Sequence, residues 1–537
     1  MNVIDHVIFY AALLANFTIN FVHFMHMFQL NSYSAREQYE WRKKNSLDVL
    51  NRCLWALIYG LMAAMFAICA LFANDSPFFN AMCNHLPIYG AVLMTVGCVP
   101  GLWALRKPAK KKLVFTPRVI RMCVTMTIIY GAVCSLSFVF LHESKLYFAV
   151  ASILPAFCVY MPCLANLINK PIEKSVNNHY INDAKRIISE LPNTTVIGIT
   201  GSYGKTSTKF YLERLLSAKY NVLMTPGSFN TTMGVVKVVR GSLNATHEIF
   251  LCEMGAKGVG EIKEICDIVH PKHSIITSIG EQHLETFGSV DNIIKTKFEI
   301  ADAVTDGTVF LNYDNEFIRD HKIDKNHVTY GINGGEWDYT ADNIKVTGKG
   351  TTFTVHHGGE EKQFSTKLLG EHNVQNILGA IAVSHELGIS FDELVYPVKR
   401  LEAVPHRMQI LDKGNGVTII DDAFNSNPAG ARAALKTLSM FDDALRIVAT
   451  PGMIELGERE YQLNRELGEF AAGCCDIAIL VGARQAPPIK EGLLAKGFTE
   501  NHIIVAADLN EAMKAAYSIQ AGRNRVILLE NDLPDNF

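Results

Sequence analysis

At 537 residues the chain exceeds one ordinary domain, and two or three are expected. It is 49% hydrophobic with a net charge of −3, which argues against the broad basic field of a nucleic-acid-binding protein. Eight of its twelve cysteines (Cys53, Cys69, Cys83, Cys98, Cys123, Cys134, Cys158, Cys163) fall in the apolar N-terminal part or its edges, and the other four (Cys252, Cys266, Cys474, Cys475) form no Cys-x-x-Cys pair, so reduced thiols fit better than a zinc ribbon or a disulfide framework.

Five apolar stretches, near 7–30, 53–73, 86–105, 119–141 and 146–168, are long enough to cross a hydrocarbon layer of roughly 30 Å. The segment before the first carries Asp5 and no Lys or Arg, unlike a cleaved signal peptide. Arg36, Arg42, Lys43, Lys44 and Arg52 lie between the first two stretches, and Arg106, Lys107, Lys110, Lys111, Lys112, Arg118 and Arg121 lie around the third loop. The second loop has no basic residue and the fourth only Lys145. This alternation predicts a multi-pass protein of the cytoplasmic membrane, with its N-terminus outside and the C-terminal part that follows the apolar stretches in the cytoplasm. Asn16, Asn20, His23 and His26 interrupt the first stretch; two readings stand, helix-to-helix hydrogen bonds or a lipid-headgroup or substrate site.

A polar linker with a short helix over Asp183 to Leu191 is expected next, leading into TVIGITGSYGKTSTK at 195–209. There a β-branched strand runs into Gly201, Ser202, Gly204, Lys205, Thr206 and Ser207, and then a helix. Glycines let backbone N–H groups approach a phosphate, Lys205 neutralises its charge, and the Thr206 hydroxyl suits Mg²⁺ at a helix N-terminus. This is a P-loop, and it predicts ATP binding without naming the reaction.

Further motifs follow in order: TPGSFNTTMGV (225–235); IFLCEMGAKGVGEI (249–262), a strand ending in Glu253; SIGEQHLETFGSVDNIIKTKFEI (278–300), with His283, Glu285 and Lys297; LNYDNE (311–316); LLGEHNVQNILGAIAVSHELGI (368–389); PHRMQI (405–410); IIDDAFNSNPAG (419–430); and TPGMIELGERE (450–460). Over about 190–530 this series resembles the Mur ligase family, which joins amino acids to a growing peptide. Forming an amide from a carboxylate needs a leaving group, supplied by phosphorylation from ATP before an amine attacks.

The resemblance implies a first Mg²⁺ held by Thr206 and Glu253 and a second by His283 and Lys297, the latter at a position where many members carry a carbamylated lysine. It places Asn373 and Asn376 near the nucleotide base, with a helix cap and a core-facing amide as the alternative. Arg407 and Asp422 are the residues that a C-terminal domain brings to ATP on closure. The run DDAFNSNP is similar to the DDxYNANP signature of the D-alanyl-D-alanine-adding branch, which sets Asn425 and Asn427 near the incoming amino acid or dipeptide; an Asx turn is the alternative. Phe424 replaces the usual tyrosine, and TPGM replaces a Gly-Asp-Met start. Apolar helices stand where the family has a soluble UDP-sugar domain, so a lipid-linked peptide acceptor is expected beside membrane lipid.

The expected architecture is a transmembrane domain (1–170) of about five helices, a linker (171–192), a central P-loop α/β domain (193–401) and a C-terminal Rossmann-like domain (402–537). In the central domain, 335–367 reads as a β-hairpin or small sheet, with His356 and His357 at a turn. In the last, strands near 417–421, 445–449, 477–481, 503–506 and 525–529 alternate with helices. Three other readings are an ATP-binding regulator or scaffold, against which the complete set of phosphate and metal residues counts; a transporter driven by this ATPase, against which the chain's lack of an LSGGQ-like run counts; and an enzyme amidating lipid-linked wall peptide, against which its lack of Cys-x-x-Cys pairs counts. The oligomeric state is not legible.

Overall fold

Long apolar runs satisfy their own backbone groups best as helices, and the N-terminal part forms Val3–Leu30, Ser46–Phe72, Pro77–Ala104 and Pro117–Leu141. The computed structural model describes residues 3–72, 77–104, 111–141, 143, 145–347, 350–412, 414, 416–423, 427–454, 456–519 and 522–532. Arg106, Lys107 and Lys110 of the basic loop, and Phe424 and Asn425, lie outside these residues. The chain divides into two compact units, one ending at Asn178 and the other starting at His179.

Among the described residues of the first unit, four helices are long and apolar enough to cross a membrane, or five if the bent pair Tyr147–Ala156 and Cys158–Ser189 counts as one span. The fifth expected stretch is not one rod. Tyr147–Ala151, Ile153–Ala156 and a 3₁₀ turn at Cys158–Tyr160 precede Met161–Ser189, with a 53° bend between the two parts. Pro155 and Pro162 lack the N–H that would carry an α-helical ladder through this stretch. The second expected loop is also shorter than its polar letters suggested, because a helix starts at Pro77, a residue suited to a first turn. Asn16 donates to the Met94 carbonyl (3.0 Å), and Asn20 donates to the Asn16 carbonyl (3.1 Å) and at 3.5 Å to that of Arg52. Those two polar residues thus serve helix-to-helix bonding. Glycines at the contact permit it: a Cβ on Gly97 would lie 2.5 Å from the Asn16 amide, and one on Gly101 would lie 2.3 Å from Ile19.

Met161–Ser189 also covers most of the segment expected as a polar linker. The expected helix over Asp183 to Leu191 is its last part, ending at Ser189, and the preceding residues are helix as well: Tyr180 and Ile181 pack with Ile187 and Ile188 on a core of the second unit, so the segment is amphipathic rather than a loose linker.

The second unit contains two sheets. The first has nine strands: β1 (Thr195–Thr200), β2 (Val222–Met224), β3 (Ile249–Glu253), β4 (His273–Ile276), β5 (Val309–Asn312), β6 (His327–Gly331), β7 (Tyr339–Thr347), β8 (Gly350–His357) and β9 (Glu360–Thr366), in the order β2-β3-β1-β4-β5-β6-β7-β8-β9. Pairing is parallel from β2 through β7 and antiparallel over β7-β8-β9, so the expected hairpin is a three-stranded meander extending the main sheet. His356 and His357 end β8 rather than occupying a turn; Gly358 and Gly359 make the turn.

The second sheet comprises β10 (Gln409–Asp412), β11 (Val417–Asp422), β12 (Leu445–Thr450), β13 (Ile477–Val481), β14 (Ile503–Ala506) and β15 (Arg525–Glu530), in the order β10-β11-β15-β12-β13-β14. All pairs are parallel except β10 with β11. Separate apolar cores cover its two faces, the doubly wound arrangement expected. β10, an antiparallel edge strand inside PHRMQILD, was not foreseen.

Candidate active site

β1 lies in the interior of its sheet between β3 and β4, and the chain leaves it at Gly201 for the helix Lys205–Leu216. Gly201 has φ 150° and Gly204 has φ 80°, and neither position has room for a side chain. A Cβ on Gly201 would lie 2.2 Å from Thr277 Oγ1, and one on Gly204 would lie 2.5 Å from Asn376 Oδ1. The loop is laced to the segment after β4: Ser202 N–H donates to the Ser278 carbonyl (2.6 Å), Tyr203 N–H to Ser278 Oγ (3.1 Å) and Gly280 N–H to Ser202 Oγ (3.1 Å). Lys205 Nζ turns back onto the carbonyls of Gly201 (2.7 Å) and Ser202 (3.0 Å), closing the cradle on itself. Burial lowers its pKa to about 8.

Beside the cradle, Glu253 ends β3 with its carboxylate held at both oxygens. Oε1 accepts from Thr206 Oγ1 (3.1 Å) and Asn230 Nδ2 (3.0 Å), and Oε2 accepts from Lys209 Nζ (2.9 Å). Burial pushes this carboxyl up, but the charges and hydrogen bonds of Lys209, Lys205 and Asn230 outweigh it and hold the group below the usual carboxylate range. Thr206 and Glu253 thus present adjacent hard oxygens, the donor type Mg²⁺ takes, next to a glycine cradle that suits phosphate.

Lys297 faces inward from the helix Val290–Asp302 and is 3% exposed. Burial, and then repulsion from Lys205, lower its pKa to about 7. It is not a solvated helix lysine. His283 adopts a left-handed conformation (φ 55°, ψ 32°) at the start of the short helix Leu284–Phe287, three residues beyond Gly280.

A cleft of about 680 Å³ separates the two lobes of this unit. Gly204, Ser207, Asn373 and Asn376 line it from one lobe, and Arg407, Asp422 and Asn427 from the other. Asn373 is committed at both ends: its Oδ1 accepts from Tyr211 (2.8 Å) and its Nδ2 donates to the Leu369 carbonyl (2.8 Å). The core-facing alternative describes its contacts. Asn376 is tied more loosely, by Thr208 Oγ1 at 3.4 Å. Asn427 caps the helix Pro428–Leu438, its Oδ1 accepting from Gly430 N–H (2.8 Å), so the turn alternative describes its side chain. Burial lowers the pKa of the Arg407 guanidinium and raises that of Asp422 to about 6.

Sequence reasoning assigned no role to several groups found here. Asp314 accepts from Ile332 N–H (2.7 Å), Asn333 N–H (3.0 Å) and Gln375 Nε2 (2.8 Å), and Asn312 donates to the Thr277 carbonyl (2.7 Å), so LNYDNE braces the loop behind the cradle. His372 lines the cleft, and burial lowers its pKa to about 4, leaving it neutral at ordinary pH. Arg459 bridges the lobes to Glu281. Lys209 was overlooked; its one signal was the i→i+4 spacing from Lys205.

A P-loop sheet facing a doubly wound lobe, across a cleft that gathers cationic and hard-oxygen groups, defines a two-lobed nucleotide-using enzyme. The family model for the Mur ligase middle domain matches residues 199–384, and that for the Mur ligase, glutamate ligase domain matches 406–530. A UDP-N-acetylmuramoyl-tripeptide–D-alanyl-D-alanine ligase of Bacillus subtilis is 32% identical over 335 residues, covering 62% of this chain and 72% of that protein. The protein of the same name from Escherichia coli is 28% identical over 334 residues, covering 59% and 73%. Among solved structures, MurF of Acinetobacter baumannii superposes with TM-score 0.59 at 25% identity over 66% of this chain and 77% of that one. MurF ligase of Thermotoga maritima in complex with ADP gives 0.59 and 25% over 66% and 80%. The chain belongs to the Mur ligase family and is an ATP-dependent amide ligase.

Proposed function

We propose that this chain is a membrane-anchored ligase of peptidoglycan biosynthesis. In this reading it joins a D-alanyl-D-alanine-like dipeptide, or a related small amino compound, to the carboxylate of a peptide-bearing acceptor. One observation carries the reading: Lys205, Thr206 and Glu253 gather at the ends of β1 and β3 beside a cleft lined by Gly204 and Ser207, while Arg407 and Asp422 line that cleft from the other lobe, with Arg407 near enough for its charge to act on Lys205 and Glu253. The sequence is similar to relatives named for D-alanyl-D-alanine ligation.

The backbone of Gly201, Ser202, Gly204 and Ser207 cradles the nucleotide phosphates, with Lys205 swinging off its own loop carbonyls to meet them. Thr206 and Glu253 would hold one Mg²⁺, and His283 with Lys297 in its carbamylated form a second; the ions would supply positive charge against the phosphate oxygens. The lowered pKa of Lys297 supports carbamylation, since the neutral amine is the form that adds to CO₂, releasing a proton. Asn376, with Asn373 behind it, faces the base, and Asp422 orients ribose or the groups around the phosphates. Arg407 stabilises charge on the transferring phosphoryl group. The substrate carboxylate, once phosphorylated, is captured by the amine of the incoming compound, and phosphate leaves. Closure of the lobes keeps water from the activated acid.

The four long apolar helices, with the bent pair Tyr147–Ala156 and Cys158–Ser189 as a fifth crossing, support the anchor; an odd number of crossings and the basic residues flanking them support an outside N-terminus and catalytic lobes on the cytoplasmic side, where ATP is found. The family models begin at residue 199, so the helices lie outside the matched parts and a lipid-linked acceptor is the natural extension. Detergent-solubilised enzyme given ATP-Mg²⁺, D-alanyl-D-alanine and either lipid-linked or UDP-linked peptide is expected to extend the lipid-linked one at the greater kcat/KM. Extension of the UDP-linked peptide alone would remove the lipid-linked acceptor from the proposal.

A further inference from the structure

The P-loop helix carries a second lysine one turn beyond Lys205. Lys209 is fully buried, with 0% exposure. A buried ammonium is costly unless paired and hydrogen-bonded, and this one is both: Nζ donates to Glu253 Oε2 (2.9 Å) and to the Gly227 carbonyl (2.6 Å). It cannot reach solvent, and its bonds are turned away from the phosphate loop.

Those contacts join three elements. Glu253 ends β3, and Gly227 belongs to the loop 225–231 that leads into the helix Thr232–Ser242. The same loop supplies Asn230, whose Nδ2 bonds Glu253 Oε1 (3.0 Å) and whose carbonyl accepts from Gly255 N–H (2.7 Å). Thr225 Oγ1 accepts from the Glu253 backbone N–H (3.1 Å). With Oε2 held by Lys209, the carboxylate cannot rotate, and Oε1 is the oxygen left on the Thr206 side. Groups that orient a metal-binding side chain govern affinity nearly as strongly as the side chain itself.

We infer that Lys209 is a positioning residue for the cation–nucleotide site: by gripping Glu253 Oε2 and the Gly227 carbonyl, it presents Glu253 Oε1 to the cation and pins the loop 225–231 against it. This rests on the reading of Thr206 and Glu253 as Mg²⁺ ligands given above.

The test uses the full-length, detergent-solubilised chain, its Lys209→Met and Lys209→Arg variants, calorimetric ADP binding with and without Mg²⁺, and the KM for Mg²⁺ during turnover. Lys209→Met is expected to cut the Mg²⁺-dependent tightening of ADP binding by about tenfold or more, to raise the KM for Mg²⁺ similarly, and to change Mg²⁺-free ADP binding by less than about threefold. Lys209→Arg keeps the charge but not the two-point geometry, and should recover part of the tightening with a KM for Mg²⁺ still about threefold raised. A folded Met variant with wild-type tightening would overturn the inference. So would equal loss of ADP binding with and without Mg²⁺, the mark of a merely structural lysine. If the Met variant does not fold, an Arg variant with unchanged KM for Mg²⁺ overturns it. Wild-type protein whose ADP binding ignores Mg²⁺ would instead remove the ligand roles of Thr206 and Glu253, and the inference with them.

Discussion

Lys205 is half-buried and Lys297 buried, and both hold their protons less tightly than in water, with pKa values lowered to about 8 and about 7. Their surroundings imply different uses. Lys205 bonds only loop carbonyls that a phosphate oxygen can replace, so Lys205→Ala should lower ADP formation by about a thousandfold; near-normal ADP release would contradict the P-loop role. Lys297→Ala should lose activity to a similar degree and regain part of it with acetate or formate, which return a carboxylate to the site. Activity that ignores those acids would count against carbamylation. Asp422 offers a stability test. Its pKa rises on folding from 3.8 to about 6, so the associated stability is full below pH 3.8 and is lost as pH rises through about 6. At pH 7.5 this half-buried carboxylate, ionised, is a net cost. Asp422→Asn should therefore raise Tm by about 2–4 °C at that pH, leave it unchanged near pH 3.5, and lower turnover. A lower Tm at pH 7.5 would contradict this account of the group.

Among the elements, the two lobes meet through exposed ion pairs at the cleft lips: Arg459 with Glu281, and Lys436 with Glu371 at 3.1 Å. Pairs exposed to this degree add little to stability, about 0–1 kcal/mol each, so their worth lies in holding the lobes together. Arg459→Ala should leave Tm within about 1 °C while lowering kcat/KM by roughly threefold to tenfold, with a larger radius of gyration by X-ray scattering. An unchanged kcat/KM would deny the pair any part in closure. At this scale periodicity read the strands well where a β-branched run was bounded by turns: β1, β3 and β11 through β15 lie within a residue or so of expectation. It failed where local and tertiary signals diverge. The stretch 146–168 is apolar throughout, yet Pro155 and Pro162 break it, and the polar letters of 171–189 hide an apolar stripe that packs as helix. β10 is four residues long and exists by pairing with β11, which no local pattern announces.

For the molecule as a whole, the candidate site was legible where chemistry demands particular residues in a fixed local order, as in the P-loop and in Glu253 at a strand end. It was opaque where a role depends on distant pairing: Lys209 is defined by Glu253 and Gly227, and Asn373 by Tyr211, partners that the fold alone brings together. The first unit adds apolar helices to a ligase whose P-loop and cleft belong to the second, and activation of an acid by ATP is the chemistry proposed for them. Its most direct measurement follows oxygen. With the acceptor peptide's reacting carboxylate labelled with ¹⁸O, and ATP-Mg²⁺ and D-alanyl-D-alanine supplied, each amide formed should transfer one ¹⁸O to the inorganic phosphate released. Amide formation that yields unlabelled phosphate, or ADP release without any amide, would contradict activation of the acid by ATP in this cleft.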